Sequence, residues 1–298
     1  MQNAMRITMM SGKRAPKPPA YGGLCFTAES ANSSVQLTAV GSAPAVTLVK
    51  SFDGVNWEAY AVGEVIDLPS TGDFVYLAAG EGGNETFGSS ASVYHQFVIN
   101  GLVAASGDIT SLRRFDLEQT TLNTFCYGYL FKDCTGLTSA PELPTTTLAN
   151  NCYRQMFKGC TGLMSAPELP ATTIATGCYA SMFEGCTSLM SAPELPAITL
   201  ASNCYRSMFQ GCTGLTIAPE LPATTLANAC YSSMFRSCKN ISIIKIHFTL
   251  WDISAFNGKT NDWVNGVASI GTFYKPTALP EEYGVSKIPT GWTVVNID

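Results

Sequence analysis

Residues Leu137 to Gly162 read LTSAPELPTTTLANNCYRQMFKGCTG, and the chain repeats this unit with a step of 26. Cys126, Cys152, Cys178, Cys204 and Cys230 are 26 apart, as are Cys134, Cys160, Cys186, Cys212 and Cys238, so ten of the eleven cysteines obey one period. The same step relates Tyr127, Tyr153, Tyr179, Tyr205 and Tyr231, and likewise Phe131, Phe157, Phe183, Phe209 and Phe235. It also relates the Pro-Glu-Leu-Pro blocks that begin at Pro141, Pro167, Pro193 and Pro219. A period of roughly 20 to 50 residues marks a solenoid, a propeller or an array, in which each unit buries its apolar face against its neighbours.

Within the unit, Leu148, Cys152, Met156 and Cys160 follow one another at intervals of four, beside Ala149, Tyr153 and Phe157. That apolar stripe predicts a short helix. Thr147 stands at the N-cap position and Gly159 at the stop, and their counterparts recur in later units. Leu137 to Leu143 is too short and too rich in proline for a helix and reads as a brief strand with Leu137, Ala140 and Leu143 inward. The expected fold of residues 107–250 is therefore an α/β solenoid of leucine-rich-repeat type, with short parallel strands on one side and short helices on the other.

Residues 21–106 alternate in short runs, among them Leu24 to Thr27, Val35 to Thr38, Phe74 to Leu77 and Tyr94 to Ile99, with a hairpin signal at Asp53-Gly54. They predict an antiparallel β-sandwich of immunoglobulin-like type. Residues 251–298 contain two further strand-like runs, Gly271 to Tyr274 and Trp292 to Val295, and read as a small β cap on the open end of the repeats. Residues 1–20, with Pro16, Pro18 and Pro19, read as an extended arm.

The 298 residues carry 13% charged side chains, about half the usual quarter, with a net charge of −5. Without a dense basic stretch, nucleic acid is not an expected partner. No window approaches the roughly 18 consecutive apolar residues of a membrane span, and the first 21 residues lack the apolar core of an export signal. His95 and His247 are the only histidines, which leaves little material for acid–base or metal chemistry, so neither catalytic residues nor a metal or cofactor are expected. The cysteine columns read as reduced core thiols, since stacked helices would hold column partners about 8–10 Å apart and a disulfide needs Cα atoms within about 7 Å.

Two sets of residues stand out as candidates for binding. Between nearly identical units the variable positions fall on one face, where Arg154, Gln155, Lys158, Glu184, Arg206, Gln210 and Arg236 are the polar choices. Glu142, Glu168, Glu194 and Glu220 form an acidic ladder. Close stacking of these like charges costs energy that a cation, a basic partner or simple solvation relieves.

The segment Phe157-Lys158-Gly159-Cys160-Thr161-Gly162-Leu163 and its copies resemble the leucine-rich repeats of the BspA-like family, here with a longer period and the Pro-Glu-Leu-Pro block as the departure. Asn261 to Val267 with Gly271 to Phe273 is similar to the ending found on such proteins. The resemblance implies surface or secreted adhesion proteins of anaerobic bacteria, or proteins of their phages, and brings no catalytic residues. Together with the first 21 residues, it leads to the expectation of a non-enzymatic virion accessory protein, such as a fibre, decoration or receptor-contacting appendage. The arm and β-domain would join other virion proteins, the repeats would face a host surface protein or glycan, and the particle would hold a homo-oligomer. The alternatives are a bacterial cell-surface or extracellular adhesin and, more distantly, a glycan-binding module of an enzyme.

Overall fold

The computed structural model describes residues 23–114, 122–252 and 258–297. The expected N-terminal arm, residues 1–20, lies outside them. Among the described residues the secondary structure is nearly all β, with 28% in strands and bridges and 2% in helix. Nine strands form the N-terminal body: β1 (Leu24–Ala28), β2 (Ser33–Val40), β3 (Leu48–Ser51), β4 (Glu58–Tyr60), β5 (Val65–Leu68), β6 (Phe74–Ala79), β7 (Gly88–Ser90), β8 (Val93–Asn100) and β9 (Val103–Ser106). They divide into an antiparallel sheet β9-β1-β6-β3-β4 and a second antiparallel sheet β5-β2-β8-β7. Phe26 of the first sheet meets Phe97 of the second edge to face at 4.9 Å. In the β3–β4 hairpin the Asp53 carboxylate accepts hydrogen bonds from the backbone of Val55 and Asn56, and Gly54 supplies a φ of +72°. Those hydrogen bonds, led by the Asn56 N–H, hold the Asp53 carboxyl well below the usual carboxylate range.

The expected α/β solenoid of leucine-rich-repeat type, with short helices, is overturned. Among the described residues the only helical element is a 3₁₀ turn at Ile109–Leu112, and the sheets are small and separate. Where helices were expected, each repeat forms a ribbon of overlapping turns. Cys152, Arg154, Met156, Lys158 and Cys160 each donate the backbone N–H to the residue three earlier, closing a turn where an α-helix would reach back four. Asn151, Tyr153, Gln155, Phe157 and Gly159, alternating with them, donate instead to Thr176, Cys178, Ala180, Met182 and Glu184 of the next repeat at 2.8–3.0 Å.

Every fourth ribbon residue has left-handed φ: Asn151 +54°, Gln155 +53° and Gly159 +76° in one repeat, Gly177 +61°, Ser181 +55° and Gly185 +77° in the next. An α-helix cannot contain such residues. Gly159 is therefore a recurring element of the ribbon, not a helix stop. Thr147 is not an N-cap but forms a parallel bridge with Thr173. The apolar spacing of four that suggested a helix belongs to this ribbon, whose own period is four.

The other half of each repeat is extended. Prolines on both sides of each glutamate remove backbone donors, so neighbouring repeats touch here through single bridges such as Ser165 with Ser191, without a continuous ladder. Tyr153, Tyr179 and Tyr205 stack at 5.9 Å per step, and Phe157, Phe183 and Phe209 at 5.7 Å. The cysteines are free; Cys160, Cys186, Cys212 and Cys238 donate their thiols to the carbonyls of Phe131, Phe157, Phe183 and Phe209 in the preceding repeat.

Both ends of the stack are closed by the chain itself. β10 (Leu137–Ser139) pairs in parallel with β9, and Phe97 of β8 stacks on Phe131 at 5.1 Å, joining the first repeat to the two-sheet body. Beyond the last cysteine, β11 (Ile243–Lys245), β12 (Thr272–Pro276) and β13 (Thr293–Ile297) form a parallel sheet. Ser233, Phe235 and Ser237 donate to Asn261, Trp263 and Asn265, so the ribbon pattern continues without its cysteines. The tyrosine and phenylalanine columns converge on Trp263, directly from Phe235 and through Phe248 from Tyr231. One apolar core runs from Leu24 to Trp292.

Candidate functional site

The seven variable residues lie along the outer edge of the ribbons, exposed or half-buried, while Cys, Tyr, Met and Phe of the same segments are buried. They do not form one cluster. Lys158 and Glu184 pair across adjacent repeats at 2.9 Å, and Arg236 pairs with Asp262 of the next ribbon at 3.1 Å. Gln155 and Gln210 stand apart.

Arg154 and Arg206 are brought together, flanking a surface cavity of about 400 Å³. They occupy the same position two repeats apart, and the residue between them in that column is Ala180. A second column repeats the pattern: Asn151 and Asn203 line the same cavity with Gly177 between them. Ser181 and Ser207 complete one wall. Arg154 Nε donates to the Tyr129 hydroxyl at 3.2 Å, which orients its guanidinium. The asparagines, Gly177 and Ala180 were not among the expected site residues. Their signal in the sequence is a repeat in which two large polar side chains shrink together.

The acidic ladder is fully on the surface. Shallow grooves of about 420 and 410 Å³ lie between successive Pro-Glu-Leu-Pro blocks, the first lined by Glu142 and Glu168 and the second by Glu168 and Glu194. Glu220 differs, with Lys245 Nζ at 3.0 Å and His247 Nε2 at 2.6 Å from its Oε1. Hydrogen bonds from Lys245, then His247, hold its carboxyl below the usual value. Among the described residues no three His, Cys, Asp or Glu side chains are grouped to hold a metal ion, and no helix is long and apolar enough to cross a membrane.

Burial sets the chemistry of the thiols. Removal from water pushes Cys178, Cys186, Cys230 and Cys238 up to about 12 from 9.0, so these groups stay protonated instead of acting as nucleophiles, and the thiols of Cys186, Cys230 and Cys238 donate to the carbonyls of Phe157, Lys259 and Phe209. His95, buried against Phe87, is shifted down for the same reason, desolvation of its charged form. Comparison of the chain with family models, with curated proteins and with solved structures finds no match.

Proposed function

We propose that the protein is a non-enzymatic structural and binding protein, carried as an accessory component of a phage particle. The observation that carries the binding reading is the division within each ribbon: the inward positions, in adjacent pairs recurring at intervals of four, keep Cys, Tyr, Met or Phe, while the outward positions between them change from repeat to repeat. Such an arrangement holds a varied row of polar side chains on a rigid support, which lowers the ordering cost of recognition. The two-sheet body, joined to the first repeat through β9 and β10, is the part suited to attachment to other virion proteins. The varied edge then faces a host surface protein or glycan, and assembly into a homo-oligomer multiplies weak contacts.

The thiols support assembly in a reducing compartment. Cys160, Cys186, Cys212 and Cys238 can donate to the facing carbonyls only as thiols, a chemistry that suits a chain folded before release by lysis better than one oxidised during export. The test is quantitative mass spectrometry on purified particles and on washed cells from cultures carrying this gene. Fixed copy numbers in particles are the expected result; recovery only from cell envelopes or medium overturns the virion assignment.

A further inference from the structure

We propose that the cavity between Arg154 and Arg206 binds a carboxylate-bearing sugar unit, a uronic or sialic acid residue of a surface glycan; this rests on the binding reading above. The cavity exists because one repeat departs from its neighbours in two columns at once. Where the flanking repeats carry Arg and Asn, the middle one carries Ala180 and Gly177, and the vacated space is bounded by the two arginines. Two ring-stacking steps of 5.9 Å separate those repeats, a span suited to one ring lying over the vacated repeat.

The charge at this place is unbalanced. Along the stack Lys132, Lys158, Arg236, Lys245 and Lys259 each face a carboxylate. Among the described residues neither Arg154 nor Arg206 forms an ion pair, in a chain whose net charge is −5. A planar guanidinium matches a carboxylate with two parallel hydrogen bonds. Seven of the nine lining residues carry a hydroxyl, amide or guanidinium, and the other two are Gly177 and Ala180. That lining offers partners for sugar hydroxyls and no apolar pocket for a peptide side chain.

The experiment uses the full chain, titrated by calorimetry and ligand-observed NMR with glucuronic acid, N-acetylneuraminic acid, glucose and a triglutamate peptide. An acidic sugar should bind with a Kd of about 1 mM or tighter, and glucose should bind more weakly. Arg154→Ala and Arg206→Ala should each weaken binding about tenfold or more. Ala180→Gln, which fills the vacated space with a side chain of the kind its neighbours tolerate, should abolish binding with an unchanged melting temperature. Lys239→Ala, removing an exposed cation elsewhere, should leave binding unchanged. Equal binding of glucose, preference for the peptide, binding that survives Ala180→Gln, or no binding of either acidic sugar overturns the proposal. A failed titration with the chain still present on particles overturns the cavity alone; binding with the chain absent from particles overturns the virion assignment alone.

Discussion

Raising the pH should unfold the stack over a narrow interval just above the range in which free thiols ionise. Ten cysteines are buried. Desolvation pushes Cys126 up to about 11 and Cys178, Cys186, Cys230 and Cys238 to about 12 from 9.0, and raises Cys134, Cys152, Cys160, Cys204 and Cys212 well above that ordinary value. The native state therefore keeps its thiol protons where the unfolded chain loses them. Stability from this source is fully present below pH 9 and falls as the pH rises toward 12. Each thiol forfeits about 1 kcal/mol between pH 9 and pH 10, so the ten together lose about 10 kcal/mol, the size of a domain's whole stability of about 5–15 kcal/mol. The assay follows far-ultraviolet circular dichroism and thiolate absorbance together, under reductant, from pH 8 to pH 11.5. Both signals should change in one transition at about pH 10. Thiolate absorbance that develops around pH 9 while the fold persists would show instead that the columns are open to water and that their burial does not stabilise the stack.

Trp263 receives both aromatic columns, and Trp263→Ala should cost about 3–5 kcal/mol, read by chemical denaturation; a change below about 1 kcal/mol would mean that the last ribbon does not cap the stack. Glu220→Gln breaks only exposed contacts with Lys245 and His247, and should change stability by less than about 1 kcal/mol in the same assay. The acidic ladder points into solvent, so melting temperatures with calcium and with chelator should agree within error, and a calcium-dependent rise would place a cation there.

The repeat was legible from cysteine spacing alone, because a column of identical core residues must recur at the period of the stack. The local conformation was misread because a spacing of four fits both a helix and the ribbon. The two differ over distance: at about 100° per residue, Leu148 and Cys160 would sit about 120° apart on a helix, yet both are buried with Cys152 and Met156 between them. Gly and Asn eight residues apart in each repeat, as in Asn151 and Gly159, Gly177 and Gly185, and Asn203 and Gly211, were the clearer sign, since these residues take left-handed φ at least cost. The terminal ribbon was hidden because Lys259 to Asn265 replaces the Cys-Tyr-Met-Phe pattern while keeping the backbone bonds. At the candidate site Arg154 and Arg206 were visible as variable residues. Their common cavity was not, because it is made by what Gly177 and Ala180 lack.

Glycine substitution at the left-handed positions tests the ribbon of turns by sign. In Gln155→Gly, Ser181→Gly and Ser207→Gly, each at φ between +52° and +55°, relief of backbone strain outweighs the added freedom of the unfolded chain. Denaturant unfolding of the triple variant should show stability equal to the parent or higher by about 1 kcal/mol per site. A helix would respond in the opposite direction, losing about 0.5–1 kcal/mol at each glycine, and that loss would mean that the segment is helical and not a ribbon of turns.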